Sequence, residues 1–181
     1  MTKPFAALLL ACALAPVFIP AQAATLQPDK SDLSFTFKQM GVPVDGKFTK
    51  FDAQLEFDSK KPEAGRIAFT VDLGSVSLGD ASFDAEMAKA PWFDTKRNGK
   101  AIFVSNAIKP TGPGKYDVAG KLTLKGASRD VVVPLTLNAG IATGSLAIKR
   151  LDFKIGDGEW ADTSVVANDV TVKFKLSFAG L

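Results

Sequence analysis

After residue 30 the chain alternates apolar and polar residues with a period of two through most of its length. Successive side chains of a β-strand point to opposite faces, so the pattern describes strands with one dry face and one wet face. Leu33, Phe35 and Phe37 share a face in LSFTFKQM, Ala53, Leu55 and Phe57 in DAQLEFD, and Ile67, Phe69, Val71 and Leu73 in RIAFTVDLGSVSL. KAIFVSNAI places Ile102, Val104 and Ile108 on one side and Phe103 on the other. Tyr116, Val118, Leu122 and Leu124 form the next face, and Val131, Val133, Leu135 and Leu137 the one after. GSLAIKRLDFKI shifts phase between Ile148 and Leu151, and DVTVKFKLSF closes with Val170, Val172, Phe174, Leu176 and Phe178. The tally is about eight strands. An antiparallel sheet of that size closes on itself and loses its edges. The expected fold is therefore all-β: a single antiparallel eight-stranded barrel, apolar inside and wet outside.

The connections fit that plan. KKPEAG (60–65), KPTGPGK (109–115), KGAS (125–128), NAGIATG (138–144) and GDGEWAD (156–162) carry turn chemistry. The phase shift near Lys149 and Arg150 reads as a β-bulge at a barrel corner. Pro134, inside a run, marks an edge, a bulge or a seam. Only GDASFDAEMAKAPWFD (79–94) breaks the alternation. Phe83 and Met87 are four apart among alanines, which predicts a short helix from about Ala81 to Lys89, capped by Asp80 or Ser82 and ended by Pro91. An extended approach to the next strand is expected after it.

The ends and the absences bound the function. MTKPFAALLLACALAPVFIPAQA has a positive start at Lys3, an apolar run from Phe5 to Ile19 and a small-x-small site at Ala21-Gln22-Ala23. It is read as a secretory signal peptide, residues 1–23, leaving one domain at 24–181 and a periplasmic product. Cleavage at Leu9-Leu10-Ala11-Cys12 as a lipoprotein box is a minor alternative. The only cysteine, Cys12, leaves with the leader, and the chain has no histidine. No disulfide, Ser-His-Asp, Cys-His or His-ligated metal chemistry is therefore expected of the mature chain, and no metal or other cofactor. Removing the leader removes Lys3 alone from 22 basic residues against 19 acidic ones. Interspersed charge of that kind is a soluble surface with no nucleic-acid footprint.

A barrel of this size is either filled by side chains or left open for one small apolar ligand. Twelve of the 14 phenylalanines lie beyond residue 23, and Phe35, Phe37, Phe57, Phe69, Phe153 and Phe174 sit on apolar faces. Aromatic walls with few polar groups suit hydrocarbon chains, but periodicity alone favours a plain packed core, because most apolar strand faces are only core.

Several segments together carry a resemblance. They are LSFTFKQMGVPVDGKFTKFDAQLEFD, FTVDLGSVSLGDASFDAEMAKAPWFDTKRNGKAIFVS, YDVAGKLTLKGASRDVVVPLTL and IKRLDFKIGDGEWADTSVVANDVTVKFKLSF. G-x-F at Gly46-Lys47-Phe48, the WFD…F-x-S block, G-x-L-T-L-x-G from Gly120 to Gly126 and the closing GDGEWADTSVVANDV resemble the YceI-like family in order and spacing. The resemblance implies a secreted, lipocalin-like barrel with a long apolar tunnel for polyisoprenoid lipids, such as isoprenoid quinones or prenyl phosphates, and no catalytic residues. Family members often carry histidines where Gln39 and Glu86 stand here, so those two residues become candidate head-group contacts.

On this reading the tunnel and its mouth involve Phe35, Phe37, Phe57, Phe69, Phe83, Met87, Trp92, Phe93, Phe153, Trp160 and Phe174. Trp92 and Phe93 either close over a ligand or anchor the helix across one barrel end. Lys96, Arg97 and Lys100 either attract a head group or form a solvated turn. Trp160 either lines the entrance or anchors a turn. Arg150 either points inward to hold a phosphate or sits on a bulge, in solvent or paired to Asp152. Asp157, Glu159 and Asp162 lack the spacing of a calcium loop. The expected partner is an isoprenoid lipid, with a transient membrane contact and a homodimer as further candidates. Two other classes stay open: an enzyme acting on a lipid through a Ser-Lys or carboxylate pair, and an interaction module with a filled core.

Overall fold

The computed structural model describes residues 23–181. The expected leader occupies residues 1–23 and so lies, but for its last residue, outside the described range. Eleven strands form one sheet: β1 Ala23–Leu26, β2 Asp32–Gln39, β3 Val42–Phe48, β4 Phe51–Glu56, β5 Arg66–Asp72, β6 Val76–Ser77, β7 Lys100–Gly112, β8 Lys115–Leu124, β9 Ala127–Asn138, β10 Ile141–Lys149 and β11 Asp169–Ala179. All pairings are antiparallel.

Eleven strands reduce to eight staves because three are broken. β1 and β2 both pair with β11 and are interrupted by a 3₁₀ turn at Pro28–Lys30. β3 pairs with β2 and β4 with β1, so residues 42–56 form one stave kinked at Thr49 and Lys50. β5 pairs with β4, and β6 resumes beyond a 3₁₀ turn at Leu73–Ser75 to pair with β3. Ser75 ties the last two kinks together: its hydroxyl donates to Asp72 O at 2.7 Å and accepts from Lys50 N at 3.0 Å. The ring then runs β5, β7, β8, β9, β10 and β11 and closes on β1, giving an eight-stranded antiparallel barrel.

Three hairpins turn on two residues, Met40–Gly41, Lys125–Gly126 and Ala139–Gly140, all at positive φ. Paired positive φ values give the turn whose twist matches the strands it joins. The β9–β10 ladder is short. It spans Asn138↔Ile141 to Leu135↔Gly144 and stops at Pro134, which has no N–H to continue it. The proline thus marks the seam of the barrel.

Three sequence expectations change, two in the barrel wall and one after the helix. The phase shift after β10 is not a bulge within a strand. Lys149 ends β10, Arg150–Phe153 form a 3₁₀ turn, and Lys154 takes a left-handed conformation, φ 57°. The chain leaves the wall there and crosses the barrel end. In β7 the predicted face is inverted over its first half: Ile102 and Val104 are 41% and 50% exposed, while Ala101 is buried and Phe103 points inward. A register shift between Ser105 and Ala107 then returns Ile108 to the interior, where it is 3% exposed. An extra residue in one strand reverses the faces beyond it.

The short helix α1, Ala81–Met87, forms as predicted, and Asp80 caps it by accepting from the backbone N–H groups of Ser82 and Phe83. After it come turns and no extended segment: Trp92 N, Phe93 N and Thr95 N all donate back to residues 87–89.

The β7 register makes a sharp test. Plain alternation puts Val104 and Ile108 on one face, yet Val104→Thr should shift stability by no more than about 0.5 kcal/mol, whereas Ile108→Ala should cost about 2–5 kcal/mol in urea unfolding. Equal costs at the two positions would contradict the register shift.

Candidate functional site

The inward faces do not meet. They enclose an apolar lumen in which the space open to the centre of a water molecule is about 240 Å³, and all atom-free space between the walls, mouth included, is about 1710 Å³. Its walls run from Leu73, Met87 and Ile155 at one end to Phe57, Leu137 and Phe178 at the other. At roughly 3.3 Å per residue and a tilt near 40°, a ten-residue strand such as β8 spans about 25 Å along the barrel axis. β9 shows how open the interior is: its inward residues Val131, Val133, Leu135 and Leu137 alternate with exposed ones, and none of the twelve residues is fully buried. Inward side chains of a filled barrel are buried; here they face a void.

Among the lining residues only Tyr116 and Arg150 carry a polar group besides the indole of Trp92. Tyr116 stacks edge-on against Phe57, ring centroids 5.2 Å apart. At the helix end, Phe35, Phe48 and Phe93 form a continuous aromatic contact, with centroid separations of 5.3 and 5.8 Å.

That end is closed by two irregular segments, residues 88–99 after α1 and residues 150–166 after β10. Irregular backbone over an apolar space leaves carbonyls without partners, and an unpaired buried carbonyl costs about as much as a lost hydrogen bond. Two cations answer this. Arg150 is 2% exposed, and each of its five N–H groups has a carbonyl. Nε donates to Ala167 O at 3.1 Å, Nη1 to Ile155 O at 2.9 Å and Gly156 O at 2.7 Å, and Nη2 to Trp160 O and Val166 O at 2.7 Å each. Burial pulls its pKa below the usual guanidinium value. Lys125, from the β8–β9 turn, donates to Pro91 O at 2.9 Å and Lys154 O at 2.6 Å and pairs with Asp157 at 3.5 Å. Pro91 O also accepts from Gly156 N at 2.8 Å, so the two segments are stitched to each other. Gly156 is required by close approach: a Cβ there would strike the Arg150 guanidinium and lie 3.1 Å from the Trp92 ring.

Trp92 and Phe93 are both buried, on the inner side of this plug. Trp92 packs on Trp160, ring centroids 5.4 Å apart, and its Nε1 has no hydrogen-bond partner among the described residues.

Of the sequence-predicted residues, the structure brings Phe35, Phe37, Phe57, Phe69, Met87, Trp92, Phe93 and Phe174 to the lumen wall. Three others are elsewhere. Phe83 is 61% exposed on the outer face of α1, Phe153 is buried in the plug's own packing at 2% exposure, and Trp160 packs on the far side of Trp92. Gln39 is exposed and Glu86 pairs with Lys89 outside the cavity. Arg150 reaches the lumen, but its donors are committed to the backbone and not to Asp152. Lys96, Arg97 and Lys100 are exposed on the outside. Wall residues not singled out from sequence include Phe48, Phe103 and Ile148. Phe48 stood inside the G-x-F motif, a signal that was present; Phe103 was hidden by the register shift.

The profile of the YceI-like domain matches residues 25–178, nearly all of the barrel. The chain belongs to the YceI-like family. Two curated relatives, both UPF0312 proteins, agree: that of Ectopseudomonas mendocina is 33% identical over 138 residues (74% of this chain, 71% of that one), and that of Pseudomonas fluorescens is 33% identical over 166 residues (82% and 80%). Among solved structures, BcnA of Burkholderia cenocepacia is 45% identical with a TM-score of 0.80, covering 85% of this chain and 99% of BcnA. A polyisoprenoid-binding domain from Saccharophagus degradans, implicated in plant cell wall breakdown, shares the fold at 20% identity, TM-score 0.67, over 86% of this chain and 97% of its own.

The plug generates two tests. Arg150→Met should cost about 3–5 kcal/mol, because five carbonyls lose their donor at once, and Arg150→Lys should recover only part of that; chemical denaturation measures both. Asp80 caps α1 and Asp162 holds a turn of the plug, and both carboxyls sit below the usual value of 3.8, Asp80 through bonds from Ser82 and Phe83, Asp162 mainly through Ser164. A depressed carboxylate stabilises above its unfolded pKa and loses that contribution as pH falls through the folded value. Protection of the Ser82, Phe83 and Ser164 amides from hydrogen exchange, taken relative to their intrinsic rates, should therefore fall below about pH 3.8 before that of the barrel strands does.

Proposed function

We propose that this YceI-like protein is a non-catalytic lipid carrier that holds the tail of a long-chain isoprenoid, an isoprenoid quinone or a prenyl phosphate, inside its barrel in the periplasm. The observation that carries the reading is the lumen, walled by leucine, valine and phenylalanine and not filled by its own side chains. Membership of the family and the polyisoprenoid-binding fold neighbour support it, and the leader-like residues 1–23 support the location.

The energetics need no charged contact. Each buried CH₂-sized unit contributes roughly 0.8 kcal/mol, so a tail of several isoprene units binds tightly on hydrocarbon alone. The two cations near the lumen are already committed: Arg150 has no donor free, and Lys125 serves two carbonyls and Asp157. The wall offers a head group only uncharged donors, Trp92 Nε1 and the Tyr116 hydroxyl, so selection rests chiefly on the tail. Sequestration is the whole mechanism. The lipid exchanges water for an apolar wall, and the protein exchanges a void for contacts.

The deciding experiment is native mass spectrometry of protein released gently from the periplasm, followed by solvent extraction and identification of the lipid. An equimolar isoprenoid is expected. Protein that carries none and also refuses added quinone and prenyl phosphate would be an interaction module instead. A wall mutation gives the complementary result. Val133→Gln, half-buried and facing the lumen, should leave the fold intact but put an amide where the tail lies, weakening lipid binding by about thirtyfold or more, or roughly 2 kcal/mol of desolvation.

A further inference from the structure

We propose that three glycine–phenylalanine pairs set the bore of the lumen and thereby decide how thick a tail it admits; the inference rests on the carrier reading and deepens it. Gly46 on β3, Gly120 on β8 and Gly144 on β10 each stand at an inward position of the wall, where every neighbouring inward residue has a side chain. Glycine weakens a strand interior, so its presence there calls for a reason. The reason is a ring from the adjacent strand. A Cβ at Gly46 would lie 2.8 Å from Phe35 Cε2 and 2.7 Å from Leu78 Cδ2; one at Gly120 would lie 2.6 Å from Phe103 Cε2 and Cζ; one at Gly144 would lie 2.5 Å from Phe174 Cζ. Phe35 and Phe174 are the direct cross-strand partners of their glycines, and Phe103 is the diagonal one.

In each case the phenyl ring occupies the space a side chain would need. Its tip reaches over the glycine of the neighbouring strand, the arrangement by which an aromatic covers a strand glycine. All three rings line the cavity. A methyl group under any of them must lift the ring by about 1 Å, because real Cβ contacts shorter than 3.0 Å are essentially absent. The lumen is narrow enough for that to matter: a methyl-branched chain is thicker than a straight one, and a packed wall has little room to yield.

Gly46 is the clean site for the test, since a Cβ there meets only side chains. At Gly120 and Gly144 it would also meet the carbonyl oxygens of Val104 and Pro134, each at 2.5 Å. The probes are geranylgeraniol, methyl-branched, and 1-hexadecanol, unbranched. Each is titrated by the quenching or shift of tryptophan emission, with thermal unfolding followed in parallel. The wild type is expected to take up both. Gly46→Ala should weaken geranylgeraniol about tenfold and hexadecanol no more than about threefold, and Phe35→Leu added to Gly46→Ala should restore the branched probe. Phe103→Leu and Phe174→Leu remove rings without touching a glycine. They should move the ratio the other way, towards the branched chain, and they carry the test if Gly46→Ala does not fold. An unchanged ratio in every folded variant, or an equal loss of both probes in Gly46→Ala that Phe35→Leu does not repair, overturns the proposal. A wild type that binds neither probe defeats the carrier reading itself, and one that binds only hexadecanol defeats its isoprenoid part while leaving the ratio tests of the leucine variants to decide the bore.

Discussion

A barrel whose inward faces do not touch bears a standing cost, and the rest of the structure is arranged around it. At about 24 cal/mol per Å³, a void of 240 Å³ forgoes about 6 kcal/mol of packing, comparable with the whole stability of many domains. Closure of the sheet is what makes such a void tolerable. Every stave is hydrogen-bonded to both neighbours, though only over four residues at the β9–β10 seam, so the wall stands as a hydrogen-bonded cylinder and does not depend on a filled interior. What remains of a conventional core is displaced to the two ends: one cluster around Leu73, Phe153 and Val166 beneath the plug, another around Leu26, Leu55 and Phe178 at the opposite end.

The plug follows from the same constraint. To shut one end of an apolar lumen, the chain must leave the ladder and cross the opening, and there its carbonyls lose their regular partners. Arg150 and Lys125 supply the missing donors from side chains. An arginine is suited to this because its five N–H groups lie in a fixed plane and fan out to several oxygens at once, whereas a lysine reaches fewer from a point. A guanidinium buried among carbonyl dipoles at the end of an apolar lumen is therefore a structural device. The same residue, judged from its position beside an apolar run, reads as either an inward phosphate ligand or a bulge residue with its charge in solvent, and it is neither. The difference is decided by backbone geometry that no side-chain pattern encodes.

This is also the measure of how much was legible in the sequence. Period-two alternation announces the staves because burial of one face imposes it residue by residue, and β8, β9 and β11 lie where the pattern puts them. The kinks at Pro28, Thr49 and Leu73 are less visible, since a stave that bends and resumes reads as two short strands, or as one strand and nothing. The β7 shift is invisible for a different reason: one extra residue at Asn106 reverses two faces without changing composition, so Phe103 reads as an outside residue and Val104 as an inside one. The aromatic wall was legible where phenylalanine sat on a clean alternation, at Phe35, Phe57, Phe69 and Phe174. Phe153 and Trp160 were not separable from it, because a plug and a wall bury the same kinds of side chain.

The glycines are the residues that a pattern-based reading discards, and they matter most to what the lumen can hold. In an alternating strand a glycine at an inward position looks like a missing core residue. With the neighbouring strand in place it is a berth for a ring, and the pair together presents less bulk to the lumen than two ordinary side chains would. A wall built to be filled could turn Phe35 into the lumen and gain from an alanine at Gly46, where a Cβ meets only side chains, since the added methyl would bury apolar area and relieve backbone entropy. That these positions hold glycine, each roofed by a phenylalanine from the next strand, means the wall gives up that stabilisation and keeps the space. Space kept at a cost along an apolar channel is a property of a container, and the thickness of what it contains is fixed by how closely its rings cover the glycines.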